Sequence, residues 1–157
     1  EKKDQPFFLY LAYMYVHLPI YPPARFLRDS KNGRYGGAGA CLDWSVEVLL
    51  HELKALGLDE NTLVVFTSDN GSRTRGEGGS NDPLRGTKGT TWEGGMRVPC
   101  IVRWPGQAPA GAVCSEIATS MDFLPTFAEI AGTTAPQDRM IDGKSLVALM
   151  TDAAPAE

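Results

Sequence analysis

A carboxylate and an amide stand side by side at Asp69 and Asn70, directly after a short run of apolar and β-branched residues at positions 63–67. Such a run is typical of a strand that is buried on both faces, and ligands of open α/β sheets gather at the carboxyl ends of strands. Oxygen donors of this kind suit a hard cation such as Ca²⁺ or Mg²⁺. Because Asp, Asn and Gly71 are also common turn residues, the pair by itself leaves a plain turn open as well.

Two further side chains could interact with an anion. Lys88 is flanked by glycines in the segment 85–90, where its ammonium and nearby backbone N–H groups could hold an anionic group. His17 follows a second apolar run, residues 6–12, which also predicts a strand, and it lies in a stretch with three prolines that excludes regular structure. A solvated lysine and a packed histidine are the ordinary alternatives for these two residues.

A helix is expected between the two apolar runs, after a Gly-rich hinge at residues 35–39. Apolar residues recur there at three- and four-residue spacing and form one stripe, namely Leu42, Val46, Leu49, Leu50, Leu53 and Leu56. Gly57 is suited to the helix end, and His51 belongs to the solvated face. A strand, a helix and a strand in succession predict a β-α-β unit, and so an α/β fold with a parallel or mixed sheet flanked by helices.

Two more elements are expected downstream. A third strand should lie within residues 96–104, where Pro99 permits only its beginning or an edge position. A helix capped by Ser120 or Asp122 should run to about Ala131. These elements complete the part of the fold that positions the polar loops.

Composition excludes several classes of protein. The net charge of −4 over 157 residues argues against a nucleic acid or an anionic membrane as partner. No apolar run approaches the ~20 residues that span a bilayer. The three cysteines are far apart and form no C-x-x-C pair, so the sequence indicates neither a disulfide framework nor a zinc site. The first residues contain no Met and no signal-peptide hydrophobic region, and we expect a longer protein.

Residues 67–71 and 86–99 closely resemble the type I sulfatases, which are arylsulfatase-like members of the alkaline-phosphatase superfamily. The resemblance implies a partial alkaline-phosphatase-like sandwich. It implies that Asp69 and Asn70 are metal ligands, for Ca²⁺ in preference to Mg²⁺, and that Asp69 also lies near the nucleophile. His17, in a His-x-Pro segment like that of the family, and Lys88 would contact the sulfate group and help to protonate the leaving alcohol.

The departures from the family are equally informative. The resemblance calls for a formylglycine made from a Cys-x-Pro/Ala-Ser-Arg motif, and none of the three cysteines lies in one. The family's further metal-ligating aspartates also lie upstream of the segments matched here. The resemblance therefore implies that residues 1–150 are the C-terminal part of a sulfatase catalytic domain. The residue types predict a short helix at 145–150 and a flexible tail at 151–157. We expect the isolated chain to be inactive and to self-associate through exposed sheet edges.

By resemblance the substrate is a small-molecule or sugar sulfate ester, and a periplasmic, secreted or lysosomal location fits the family. Two alternatives stay open: a phosphodiesterase or phosphonate ester hydrolase of the same superfamily, and a non-catalytic relic or binding module.

The sequence does not match three other motifs of ligand binding or catalysis. Residues 37–42 lack the third glycine of a dinucleotide fingerprint, Lys88 is followed by Gly89 and not by the Ser or Thr of a P-loop, and residues 78–82 lack the last glycine of a nucleophile elbow.

Overall fold

The computed structural model describes residues 5–152, and these contain both helices and strands. The α-helices are α1 (Ala24–Arg28), α2 (Gly33–Ala55), α3 (Glu93–Met96), α4 (Phe123–Ile130) and α5 (Val147–Thr151). The strands are β1 (Val64–Thr67) and β2 (Cys100–Arg103), which pair with each other. Two short 3-10 helices lie at Asp59–Asn61 and Ser120–Asp122. The predicted α/β character is confirmed for the described residues.

Helix α2 contains the predicted apolar stripe, but it begins earlier than the sequence suggested. The Gly-rich segment 35–39 is part of the helix, so the predicted hinge is wrong. The reason is packing: Gly37 is buried, and a Cβ added to it would lie 3.1 Å from Cγ of Pro22 and 3.2 Å from the carbonyl oxygen of Phe26. The glycine therefore allows α1 to approach the α2 backbone closely.

The predicted end of α2 is confirmed. Gly57 adopts a φ of 69°, and the Leu58 amide donates to the carbonyl oxygen of Leu53 over 2.9 Å. The left-handed backbone conformation of Gly57 lets the amides after the last helical turn donate to carbonyl groups that have no partner within the helix.

Strands β1 and β2 lie where the sequence placed them. Strand β2 starts directly after Pro99. This agrees with the prediction, because proline has no N–H to donate to a neighbouring strand. Residues of β1 are half-buried or exposed, whereas the sequence predicted burial on both faces. Residues 93–96 form a helical turn, so of the range 96–104 given to the third strand only Met96 is helical.

The strand predicted at residues 6–12 is wrong for the described structure, in which this segment is irregular. Phe8 and Tyr10 are 74% and 81% exposed. A strand requires a neighbour for its backbone groups, and within residues 5–152 the pairing joins β1 to β2. The predicted β-α-β pair across α2 is therefore not formed among the described residues.

The described residues divide into two compact units, 5–59 with 66–100 and 60–65 with 101–152. In the first unit Ile20, Ala38 and Leu53 form the buried core, and in the second Leu146 and Met150 do so. All four predicted site residues lie in the first unit.

The second unit contains helix α4 and the residues that Asp122 and Thr126 tie to it. The carboxylate of Asp122 accepts hydrogen bonds from the backbone N–H groups of Thr119, over 2.6 Å, and Lys144, over 2.8 Å. The fully buried Thr126 donates its hydroxyl to the Asp122 carbonyl oxygen over 2.6 Å and accepts from the Leu146 amide over 2.8 Å. The predicted helix is confirmed, but the predicted cap is not. Asp122 precedes α4 without a side-chain hydrogen bond to it, and its carboxylate instead forms a capping box with Thr119 at the 3-10 helix Ser120–Asp122.

The predicted C-terminal helix is present as α5. Thr151 ends this helix and donates its hydroxyl to the carbonyl oxygen of Val147 over 3.1 Å, so it does not belong to the predicted flexible tail. Residues 153–157 of that tail lie outside the described residues.

Candidate functional site

The turn after β1 brings the two predicted metal ligands together. The side-chain amide of Asn70 donates a hydrogen bond to the carboxylate of Asp69. The Ser68 hydroxyl donates to the Asn70 carbonyl oxygen over 3.0 Å and closes the turn. Asp69 is exposed and Asn70 is half-buried. The two oxygen-bearing side chains therefore lie side by side at the carboxyl end of β1.

Four glycines hold the next part of this loop at a backbone-to-backbone contact. The Gly71 amide donates to the Gly95 carbonyl oxygen over 3.1 Å, and the Gly94 amide donates to the Arg85 carbonyl oxygen over 2.7 Å. A Cβ on Gly71 would overlap the Gly94 carbonyl oxygen, and a Cβ on Gly94 would overlap that of Gly86. No other residue type fits these positions without moving the loop.

Lys88 lies in the same loop and is half-buried. Its main-chain amide donates to the Ser72 carbonyl oxygen over 3.0 Å. A turn fixes its neighbours, since Thr90 donates its hydroxyl to the Thr87 carbonyl oxygen over 2.8 Å. Among residues 5–152 no carboxylate pairs with the Lys88 ammonium, although Arg73 pairs with Glu77 over 3.4 Å in the same loop. A partly buried ammonium of this kind is available to an anionic ligand.

His17 lies on the separate proline-rich segment and is exposed. Its Nδ1 contacts the carbonyl oxygen of Leu18 at 2.7 Å. A carbonyl oxygen can only accept, so Nδ1 carries the proton and Nε2 is left to accept or donate another. Tyr13 joins this segment to α2 by a hydrogen bond of 2.8 Å between its hydroxyl and that of Ser45.

The structure thus brings three of the four predicted residues onto one hydrogen-bonded loop. Asp69, Asn70 and Lys88 are linked through the Gly71–Gly95 and Ser72–Lys88 contacts. In the described part of the chain the hydrogen bonds of His17 are local, to Met14 and Leu18, and its membership of the site stays a prediction.

Sequence reasoning overlooked Asn81. Its side chain accepts from the Ser72 amide over 2.8 Å and donates to the carbonyl oxygens of Ser72, over 2.8 Å, and Gly86, over 3.1 Å. It lies in a polar stretch rich in Gly, Ser and Arg, where one more Asn gives no distinct signal. A second overlooked contact places the guanidinium of Arg85 over the Trp92 ring, with Cζ 3.7 Å from the ring centroid.

The donor set fits part of a calcium site. Asp69 and Asn70 offer a carboxylate and an amide oxygen, which are the hard ligands that Ca²⁺ takes, but Ca²⁺ takes about 6–8 of them. Within the described residues no group of three or more His, Cys, Asp or Glu side chains could hold a metal ion. These two residues can therefore supply a part of the coordination shell.

A family model described as Sulfatase matches residues 1–133. The chain belongs to the sulfatase family. The relationship agrees with the resemblance seen in residues 67–71 and 86–99, which lie inside the matched region.

Relatives with different substrates match this sulfatase chain about equally well. The steryl-sulfatase of Mus musculus is 44% identical over 157 residues, and the alignment covers 96% of this chain and 25% of that protein. The N-acetylgalactosamine-6-sulfatase of Canis lupus familiaris is 46% identical over 153 residues, covering 96% of this chain and 29% of that protein. The chain thus spans less than a third of the length of either relative.

Solved structures agree with the fold. A crystal structure of Ps i-CgsB in complex with k-i-k-neocarrahexaose superimposes with a TM-score of 0.89 at 36% identity, covering 98% of this chain and 36% of that one. The phosphonate monoester hydrolase SpPMH from Silicibacter pomeroyi superimposes with a TM-score of 0.63 at 28% identity, covering 79% of this chain and 23% of that one. The predicted partial sulfatase fold is confirmed.

No helix within residues 5–152 combines the length and the apolar character needed to cross a membrane.

Proposed function

We propose that the protein hydrolyses sulfate monoesters and that this chain contributes one side of the active site. The observation that carries the proposal is the loop on which Asp69, Asn70 and Lys88 are held together by main-chain hydrogen bonds. A sulfate ester carries negative charge that shifts onto the leaving oxygen as the S–O bond breaks, so cationic groups around it lower the barrier. The family match and the relatives named sulfatase support this reaction class.

Lys88 is proposed to bind a sulfate oxygen. The residue is half-buried and its ammonium has no carboxylate partner among the described residues, so an incoming anion need not displace an existing ion pair. The contact from its own amide to Ser72 keeps the residue beside the Asp69–Asn70 turn. A fixed cation costs no reorganisation when charge develops on the substrate.

His17 is proposed to contact the sulfate group and to supply a proton. Its Nδ1–H donates to the Leu18 carbonyl oxygen, which leaves Nε2 as the ring nitrogen that can face a substrate. A protonated Nε2 would donate its proton to the leaving alcohol oxygen as the S–O bond breaks, and Nε2 would then be neutral. Lys88 is the second candidate for this proton.

Asp69 and Asn70 are proposed to hold a divalent metal, with Ca²⁺ favoured over Mg²⁺. When bound, such an ion draws negative charge from the sulfate oxygens. Two oxygen donors are too few for tight binding, so further ligands and the formylglycine nucleophile would come from residues outside these 157. Residues 1–157 alone are accordingly proposed to have no turnover.

The test uses the full-length protein that carries this chain, with aryl sulfate and aryl phosphate esters as substrates and Ca²⁺ present. Faster hydrolysis of the sulfate ester supports the proposal, as does loss of that activity in both Lys88→Met and His17→Gln. Turnover of the phosphate ester alone would favour the second candidate, a phosphodiesterase or phosphonate ester hydrolase, for which the similarity to SpPMH is the supporting observation. No turnover of any ester, with metal supplied, would favour a non-catalytic relic or binding module.

The proposed substrate class is a small-molecule or sugar sulfate ester, and the proposed location is periplasmic, secreted or lysosomal. The two relatives are named for a steroid and for an amino sugar, which is why the class is kept broad.

Residues 1–157 expressed alone are also proposed to self-associate, because Phe8 and Tyr10 expose most of their apolar surface. A constant monomer mass in sedimentation over a wide concentration range would overturn this last proposal.

A further inference from the structure

Asn81 contacts both arms of the site loop. One arm continues from Asn70 through Ser72, and the other leads from Gly86 to Lys88. The Asn81 side chain forms two hydrogen bonds of 2.8 Å with the backbone of Ser72 and one of 3.1 Å with the Gly86 carbonyl oxygen. A single half-buried amide thereby bridges the segment that bears the metal ligands and the segment that bears the cation.

The partners of Asn81 determine the orientation of its amide. The Ser72 N–H can only donate, so it requires the side-chain oxygen, and the carbonyl oxygens of Ser72 and Gly86 can only accept, so they require the NH₂ group. The Ser72 carbonyl oxygen also accepts the Lys88 amide over 3.0 Å. Asn81 and the Lys88 backbone therefore share one acceptor, which couples their positions.

We propose that Asn81 is a positioning residue that sets the place of Lys88 relative to the Asp69–Asn70 pair. The inference rests on the proposed function for its consequence, sulfate binding, but its geometric part can be tested without activity. Aspartate is close in shape to asparagine and keeps an acceptor for the Ser72 amide. It directs a second oxygen at the carbonyl oxygens of Ser72 and Gly86, and so it removes the bridge with little change in volume.

A matched control is available in Asn32. Its side-chain amide donates to the carbonyl oxygen of Gly78 over 2.6 Å, so it also ties a side chain to the backbone of this loop. That contact is made to Gly78 and not to Ser72 or Gly86, the two residues that Asn81 bridges. Asn32→Ala therefore removes the same kind of hydrogen bond without touching the Ser72–Lys88 contact.

The first experiment measures amide hydrogen exchange in the full-length protein and in Asn81→Asp, Asn81→Ala and Asn32→Ala. Both Asn81 variants should speed exchange of the Lys88 amide about tenfold or more, because an unsupported loop opens more often. Asn32→Ala should leave it within about twofold, and peptides of α2 serve as a reference for general unfolding. Unchanged exchange of the Lys88 amide in Asn81→Asp would overturn the proposal.

The second experiment measures the affinity of inorganic sulfate by calorimetry in a double-mutant cycle. Asn81→Asp should weaken sulfate binding about tenfold when Lys88 is present and less than about twofold in the Lys88→Met background, because Asn81 acts through Lys88. A purely structural role predicts equal losses in both backgrounds, and that result would overturn the proposal. If the wild-type protein hydrolyses no sulfate ester, the proposed function is wrong. The hydrogen-exchange result would still decide whether Asn81 positions Lys88.

Discussion

The main-chain amide of Lys88 donates to the carbonyl oxygen of Ser72 over 3.0 Å, which holds the Lys88 backbone against the segment that follows Asp69 and Asn70. Within residues 5–152 the loop is held by hydrogen bonds of main-chain groups, Asn81 and Thr90, and none of these involves the Lys88 side chain. A substitution of the Lys88 side chain should therefore change charge without changing the course of the backbone.

Lys88→Met tests the role of that charge. Methionine keeps an apolar stem of similar length, so the half-buried part of the side chain stays filled. We expect kcat/KM for an aryl sulfate to fall by about 10²–10³ in the full-length protein, the loss that follows removal of one group that stabilises transition-state charge. The exposed Lys31 provides the control, and Lys31→Met should be neutral. A loss below about threefold in Lys88→Met would contradict the assignment.

Asp69→Asn tests the metal site. The change keeps the shape of the side chain but removes the charge that a divalent cation requires. The Ca²⁺ concentration for half-maximal activity should rise by at least about tenfold, and the rise in thermal midpoint on adding Ca²⁺ should shrink in parallel. Asp43→Asn, an exposed carboxylate on α2, should change neither quantity. An unaltered calcium titration would remove Asp69 from the set of ligands.

The sequence predicts well those elements whose signal is local. The stripe of α2 and the Gly57 end depend on residues close in the chain, and both are confirmed. The helix after Asp122 is also confirmed, but the Asp122 carboxylate accepts from Thr119 and Lys144 and does not cap it. The strand expected at residues 6–12 is not formed, because strand formation depends on a neighbour that residue types cannot supply. The segment 35–39 was assigned to a hinge because buried and exposed glycines look alike in a sequence.

The sequence identifies some residues of the candidate site and misses another. Asp69, Asn70 and Lys88 could be selected because their types suit a metal and an anion and because the flanking segments resemble sulfatases. Asn81 could not be selected, since its role lies in three hydrogen bonds to backbone groups and backbone groups are common to all residues. Its neighbours in the sequence give no hint of which carbonyl oxygens it reaches.

Gly94→Ala tests the backbone contact at the centre of the loop. The added Cβ would overlap the Gly86 carbonyl oxygen and lie 2.8 Å from that of Arg85, neither of which can move without opening the loop. We expect a loss of about 1–3 kcal/mol in stability, from thermal unfolding of the full-length protein. Gly39→Ala is the control: it lies inside α2 with no atom within 4 Å of the new Cβ, and it should gain about 0.5–1 kcal/mol. Equal effects of the two substitutions on stability would show that the loop accommodates the added Cβ by moving.

Asp122→Asn tests, through its pH dependence, the cap that the Asp122 carboxylate forms with the Thr119 and Lys144 backbone N–H groups ahead of α4. Hydrogen bonds from the Lys144 and Thr119 backbone N–H groups hold the pKa of the Asp122 carboxyl below its usual value. Because the folded pKa is depressed, the carboxylate stabilises the fold fully above the unfolded pKa of about 3.9, and this contribution is lost as the pH falls through the folded pKa. At pH 7 the variant should be less stable by about 0.5–2 kcal/mol. In urea titrations, the difference in free energy of unfolding between variant and wild type should shrink between about pH 5 and pH 3. Asp142→Asn, at an exposed carboxylate, is the control and should produce no such difference at pH 7. If the difference in free energy of unfolding stays constant down to pH 3, the charge of Asp122 does not contribute to the cap.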